Sequence, residues 1–139
     1  MNEAAQLGSQ PRHRVLIVDD EEATRLLLAR LLANDMDVEI TLAGTCEQAL
    51  RLGRSYAYDC ILLDLMMPGI GGFGVLSALR ANSPNATTPI VIVSVLSEPD
   101  TVARCMQAGA SAYLIKPVER NSLSATVRAQ IASRMHPDA

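Results

Sequence analysis

Val38-Glu39-Ile40-Thr41-Leu42 alternates apolar and polar side chains, whereas VLIV at 15–18, CILL at 60–63 and IVIV at 90–93 are unbroken apolar runs. A strand that is apolar at every position is covered on both faces, as parallel strands are when helices flank them. A strand that alternates leaves one face to solvent, which puts residues 38–42 at an edge of the sheet. Longer amphipathic stretches separate these runs. Helices are predicted from Glu21 to about Asn34, from Cys46 to about Tyr56, through Leu76 and Leu79, from about Glu98 to Ala108, and from about Glu119 along Leu123, Val127 and Ile131. The first should carry Leu26, Leu27, Leu28, Leu31 and Leu32 on a broad apolar face. Residues 112–115 form a fifth strand. Right-handed crossovers then predict an α/β fold, a doubly wound five-stranded parallel sheet in the order 2-1-3-4-5. Its crevice lies beyond the carboxyl ends of strands one and three.

Composition narrows the function classes. The 139 residues suit one domain, with 1–13 read as a flexible N-terminal tail, 14–135 as the domain and 136–139 as a C-terminal tail. Hydrophobic residues make up 49%, charged residues 19%, and mean hydropathy is +0.17, which excludes a disordered chain. No apolar run approaches the roughly 18 residues of a helical membrane span. The first 14 residues lack the apolar core of a signal peptide, so no membrane partner is expected. Cys46, Cys60 and Cys105 show no CxxC spacing, which reads as a reduced, cytoplasmic chain. A net charge of −3 and a pI of about 5.3 leave no basic field to bind nucleic acid. The two histidines, His13 and His136, lie near the termini and exclude an internal histidine cluster. Of 12 basic residues only Lys116 is lysine, a compact charge on a flexible stem that a planar guanidinium does not replace.

The residues that follow each strand form a pattern. Strand one ends in Asp19-Asp20, strand three in Asp64, strand four in Ser94, and strand five in Lys116 before Pro117. Strands one and three are neighbours in the inferred sheet, so three carboxylates converge. Two carboxylates about 4 Å apart repel by roughly 4 kcal/mol at an effective dielectric near 20. Such a cluster takes up protons, a lysine or a divalent cation, and oxygen-only ligands suit Mg2+. Singly, each residue has an ordinary reading: Asp20 with Glu21 and Glu22 caps a helix, Asp64 forms a strand-end turn, Ser94 is a loop serine and Lys116 is a solvated lysine. Those readings do not explain why all of them share one edge of one sheet.

VLIVDDEEATRLLLARLL, DCILLDLMMPG, PIVIVS and AGASAYLIKP resemble the receiver domain of bacterial two-component response regulators, of the chemotaxis-regulator type. The resemblance covers about residues 14–134 and implies a flavodoxin-like fold. It implies that Asp64 accepts a phosphoryl group from a histidine kinase or phosphotransfer protein. Asp20 and Asp64 would hold Mg2+ directly, Asp19 through water, and Met66 through its backbone carbonyl. Ser94 would be the hydroxyl that moves toward the phosphoryl group, Lys116 would pair with a phosphoryl oxygen, and Tyr113 would be the switch aromatic. Phosphorylation would then alter the surface around the fourth helix, fifth strand and fifth helix for a downstream protein or output domain. Such a domain is no enzyme beyond catalysing its own phosphorylation and dephosphorylation. Pro117 is open to either the cis or the trans peptide.

Two other readings fit the residues less well. A flavin-binding domain of this topology needs a Ser, Thr or Gly-rich phosphate loop after strand one, where this chain has DDEEAT. A phosphatase of the haloacid dehalogenase type, with Asp19 as nucleophile, needs a second Asp where Glu21 stands. Against the family pattern, Val95 replaces a small residue after the switch hydroxyl. Met66 and Leu96 stand where polar residues are usual, and Gly71 stands where Asp is usual. Val95, Met66 and Leu96 predict a narrower, more apolar mouth to the site, and Gly71 leaves a flexible Gly71-Gly72 joint. The final helix is predicted to end near Arg134 with no output module after it, which fits a stand-alone regulator and a fragment of a longer protein equally.

Overall fold

The structure, a computed structural model, describes residues 12–135, so residues 1–11 of the tail expected over 1–13, and the tail expected over 136–139, lie outside the described residues. The strands are β1 (His13–Val18), β2 (Val38–Ala43), β3 (Cys60–Leu63), β4 (Ile90–Ser94) and β5 (Ala112–Ile115). The helices between and after them are α1 (Glu22–Asp35), α2 (Cys46–Ser55), α3 (Gly71–Ala81), α4 (Pro99–Gln107) and α5 (Arg120–Met135). All strand pairs are parallel, in the order β2-β1-β3-β4-β5. β1 starts at His13, two residues before its apolar run and inside the expected tail. His13 and Arg14 pair with Val38 and Glu39, and the Arg14 guanidinium lies over the rings of Tyr56 and Tyr58. Backbone pairing and this cation–π contact carry the strand into polar sequence.

Side-chain alternation along each buried strand feeds two cores. One face sends Val15, Ile17, Leu62, Val91 and Val93 against Leu28, Leu32, Leu123, Val127 and Ile131 of α1 and α5. The other sends Leu16, Val18, Ile61, Leu63, Ile90 and Ile92 against Ala49, Val75, Leu76, Leu79 and Cys105 of α2, α3 and α4. β2 is the expected edge: Val38 is buried, Ile40 half-buried and Leu42 exposed. The apolar face of α1 is narrower than its five leucines suggest. Leu28 and Leu32, one turn apart, meet the sheet, while Leu26 and Leu27 are 47% and 51% exposed because they lie around the helix from that line.

A polar strap joins α1 to α5. Asp35 accepts hydrogen bonds from Arg120 and Ser124, and the Arg128 guanidinium reaches its backbone carbonyl. The Arg120 hydrogen bond, followed by that of Ser124, lowers the Asp35 carboxyl from 3.8 to about 2. A carboxyl depressed in the folded state stabilises above its ordinary value, and that contribution is lost as the pH falls toward the folded value. Asp35→Asn is therefore expected to flatten the acid limb of urea-unfolding stability between about pH 4 and 2. An acid limb identical to that of the unsubstituted chain would show that the strap contributes nothing.

Candidate functional site

Backbone pairing continues one residue past β1, β3 and β5 and places the site. The Asp19 N–H donates to the Ala43 carbonyl at 3.1 Å, the Asp64 N–H to Val18 at 3.0 Å, and the Lys116 N–H to Ser94 at 2.9 Å. Asp19, Asp64 and Lys116 thus emerge at the same carboxyl edge. Asp19, Asp20 and Asp64 each present a carboxylate oxygen within 4.8 Å of the other two. Asp19 and Asp64 are buried, and Asp20 is exposed. Lys116 Nζ lies between two of them, 2.8 Å from Asp19 Oδ2 and 3.5 Å from Asp64 Oδ2. The Lys116–Pro117 peptide is cis, which resolves the alternative left open by the sequence.

Each buried group is held from several sides. Asp19 Oδ1 accepts the Glu21 N–H at 2.9 Å, so both of its carboxylate oxygens are engaged. Asp64 Oδ1 accepts the Met66 N–H at 3.3 Å. Burial pushes the Asp64 carboxyl above its ordinary value and outweighs the opposing pull of the Lys116 charge. Burial alone would push the Lys116 ammonium down, but the hydrogen bond to Asp19 and the charges of Asp64 and Asp19 together hold it above the ordinary lysine value. The N-cap residue of α1, Glu21, makes no side-chain cap hydrogen bond, so the reading of Asp20 with Glu21 and Glu22 as a helix cap has no cap bond behind it.

Ser94 is fully buried at the same edge, and its hydroxyl oxygen accepts from the Leu96 N–H at 3.2 Å. The half-buried Tyr113 donates its hydroxyl to the Leu96 carbonyl at 2.7 Å. Leu96 thereby links the expected switch hydroxyl to the expected switch aromatic. The narrow apolar mouth predicted from Val95, Met66 and Leu96 does not form as one constriction. Val95 is 57% exposed and lines a cleft of about 360 Å³ with Thr24, Leu27 and Lys116. Leu96 turns the other way, into a cleft with Leu65, Phe73 and Arg104. Met66 is 54% exposed.

One positioning residue was missed by the sequence reading. A Cβ on Gly72 would stand 2.0 Å from the Asp64 carbonyl oxygen, so α3 can begin this close to the site only with glycine there. Gly71, at φ +74°, supplies the turn that precedes it. The adjacent Gly71-Gly72 pair was the available signal.

The cluster suits a divalent cation. Its donors are all oxygen, and three carboxylates against one ammonium formally leave two negative charges within 4.8 Å of one another. Mg2+ matches that donor set and that charge. The family described as response regulator receiver domain matches residues 15–128. The chain belongs to that family. This receiver domain is 37% identical over 119 residues to the cell cycle transcriptional regulator CtrA of Caulobacter vibrioides, covering 85% of this chain and 50% of CtrA. It is 38% identical over 107 residues to the sensory/regulatory protein RpfC of Xanthomonas campestris pv. campestris, covering 76% of this chain and 15% of RpfC. The receiver domain thus spans half or less of these relatives. Among solved structures it is similar to the receiver domain of the sensor histidine kinase PA1611 from Pseudomonas aeruginosa, with a TM-score of 0.81 and 26% identity over 88% of this chain and all of that one. That structure is described with a magnesium ion coordinated in its active-site cleft. The phosphatase and flavin readings find no support in these relatives.

Two substitutions probe how the receiver domain holds Asp64. Gly72→Ala should destabilise it by about 2 kcal/mol, as overpacking against fixed backbone does; an unchanged urea midpoint would mean that α3 shifts freely. The raised Asp64 carboxyl has the opposite sign to Asp35. Any stability it contributes is present at low pH and is lost as the pH rises through its folded value. Asp64→Asn should therefore raise the urea midpoint of the metal-free protein at pH 7. A lower midpoint would show that the pairing with Lys116 outweighs burial.

Proposed function

We propose that this receiver domain accepts a phosphoryl group on Asp64 from the phosphohistidine of a histidine kinase or phosphotransfer protein. The observation that carries this reading is the convergence of Asp19, Asp20 and Asp64 with Lys116 Nζ on Asp19 and Asp64. An Asp64 carboxylate oxygen bonds to phosphorus as the phosphorus–nitrogen bond breaks, and the donor imidazole leaves with the electron pair and takes a proton. Phosphoryl transfer of this kind asks mainly for positioning and charge neutralisation. The Met66 N–H orients Asp64, and Lys116 neutralises a phosphoryl oxygen. Asp20 and Asp64 would hold Mg2+ directly, Asp19 through water, and Met66 through its carbonyl. When bound, the ion supplies charge neutralisation between these carboxylates and the phosphoryl oxygens.

Leu96 supports a route outward. A phosphoryl oxygen that draws the Ser94 hydroxyl away from the Leu96 N–H loosens the residue whose carbonyl holds Tyr113. The surface of α4, β5 and α5 would then shift its population toward a form recognised by a downstream protein or output domain. In this reading the domain signals, and its only catalysis is the gain and loss of its own phosphoryl group. The setting is cytoplasmic, where the buried thiols of Cys46, Cys60 and Cys105 stay reduced. Among the described residues no helix is long and apolar enough to cross a membrane.

Labelled acetyl phosphate or a phosphorylated kinase should label the protein only with millimolar Mg2+, and Asp64→Ala should remove all label. Persistent label in Asp64→Ala would move the acceptor elsewhere. Lys116→Arg is expected to keep the fold and lose most of the phosphorylation-linked spectral change, because a guanidinium does not fit the position of a single Nζ between two carboxylates. An unaltered response in that variant would remove Lys116 from the switch.

A further inference from the structure

Arg25 lies within the first turns of α1, and its guanidinium folds back over the acidic edge. Nη1 donates to the backbone carbonyl of Asp19 at 2.6 Å. That carbonyl belongs to the peptide joining Asp19 to Asp20. The same guanidinium rests on Gly44, in the turn between β2 and α2. A Cβ there would lie 2.8 Å from Arg25 Nη1 and 3.2 Å from Cζ. Gly44 is not required by its own backbone, because the glycines with positive φ are Gly69, Gly71 and Gly109. An alanine at 44 meets no conformational obstacle, only the guanidinium. Gly44 is itself anchored: its N–H donates to Gln48 Oε1 at 2.8 Å, and the Gln48 N–H returns to the Thr45 hydroxyl at 3.0 Å, which ties the turn to the start of α2.

We propose that Arg25 and Gly44 form a positioning pair that sets the Asp19–Asp20 peptide and, through it, the direction of the Asp20 carboxylate toward Asp64. The Asp19 side chain is already held through both oxygens, by the Glu21 N–H and by Lys116. Asp20 is exposed, and its direction follows from the backbone that carries it. Arg25 fixes that backbone from the α1 side, while the missing Cβ of Gly44 leaves the flat guanidinium room to reach it. A lysine stem offers no plane to lie on Gly44 and places a single point charge, so it does not substitute. Groups that orient a metal's ligands from behind typically change affinity tenfold or more when removed. The proposal rests on the reading of Asp19, Asp20 and Asp64 as a Mg2+ site, and part of its test is independent of metal.

The test is a double-mutant cycle on the full chain, comparing Arg25→Ala, Gly44→Ala and the double variant with the unsubstituted protein. Mg2+ affinity is read by calorimetry. The backbone nitrogen shift of Asp20, which senses hydrogen bonding at the preceding carbonyl, is read by NMR in metal-free samples, and urea midpoints establish that each variant folds. Each single variant should weaken Mg2+ binding by roughly tenfold and move the Asp20 nitrogen. The double variant should be no worse than Arg25→Ala, because the added methyl then has nothing to displace. Arg25→Lys should not restore either signal. Additive effects in both readouts overturn the pair, as do lowered urea midpoints with an unmoved Asp20 nitrogen and unchanged Mg2+ affinity. If the unsubstituted chain binds no Mg2+, the metal reading falls, and the metal-free nitrogen shifts alone decide the pair: non-additive shifts uphold it and additive shifts overturn it.

Discussion

Lys116 Nζ, 2.8 Å from Asp19 and 3.5 Å from Asp64, is the contact on which the carboxyl edge depends. Parallel pairing of β1 with β3 delivers Asp19 and Asp64 side by side at depths where water cannot screen them. Unit charges about 4 Å apart interact by about 4 kcal/mol at an effective dielectric near 20, so leaving the two carboxylates alone would work against folding. The lysine arrives from β5, on the far side of β4 and β3 from Asp19, and its long stem covers that distance. Burial still prevails at Asp64, whose carboxyl stays above its ordinary value beside this cation. Buried ion pairs seldom stabilise a fold beyond what apolar residues would achieve. The arrangement makes sense as a place that has not reached charge balance and is suited to accept more positive charge.

The edge combines a rigid floor with a looser rim. β1, β3 and β4 are buried on both faces, which fixes the backbone from which Asp19, Asp64 and Ser94 project. Gly72 brings α3 into contact with the Asp64 backbone. Above this floor, Leu96 is held by Ser94 through its N–H and by Tyr113 through its carbonyl, in a segment that is only half-buried. Val95 after β4, Met106 in α4 and Ile115 in β5 are exposed. Few buried contacts and a small number of hydrogen bonds hold such a segment, which is the usual makeup of parts that move at low energetic cost.

The sheet order and the convergence of Asp19, Asp20 and Asp64 with Lys116 were legible in the sequence for one reason. In a parallel sheet the pattern of each strand reports its position, and the residue after each strand reports the functional edge. Alternation in Val38–Leu42 against the unbroken runs at β1, β3 and β4 placed β2 at an edge, and Asp19, Asp20, Asp64, Ser94 and Lys116 follow from reading the residues at the carboxyl end of each apolar run. Local pattern misjudged matters that depend on neighbours distant in the chain. It put five leucines on one face of α1 where Leu26 and Leu27 are exposed, and it sent Val95 and Leu96 to one mouth where they occupy two clefts.

Residue type and spacing along the chain determined, without any coordinates, which groups could serve the chemistry: three acids, one hydroxyl and a single lysine at strand ends. The tertiary structure alone decided how those groups are held. That Asp19 has both oxygens engaged, that Ser94 bonds to Leu96, and that Gly72 and Gly44 are glycines for the Asp64 carbonyl and the Arg25 guanidinium are facts of packing between separate elements. Strand patterns are written by each residue's own exposure to water, which the sequence carries. Close approaches are written by whatever the fold brings to the other side, and a missing Cβ looks the same in sequence whether it frees a turn or makes room for a distant side chain.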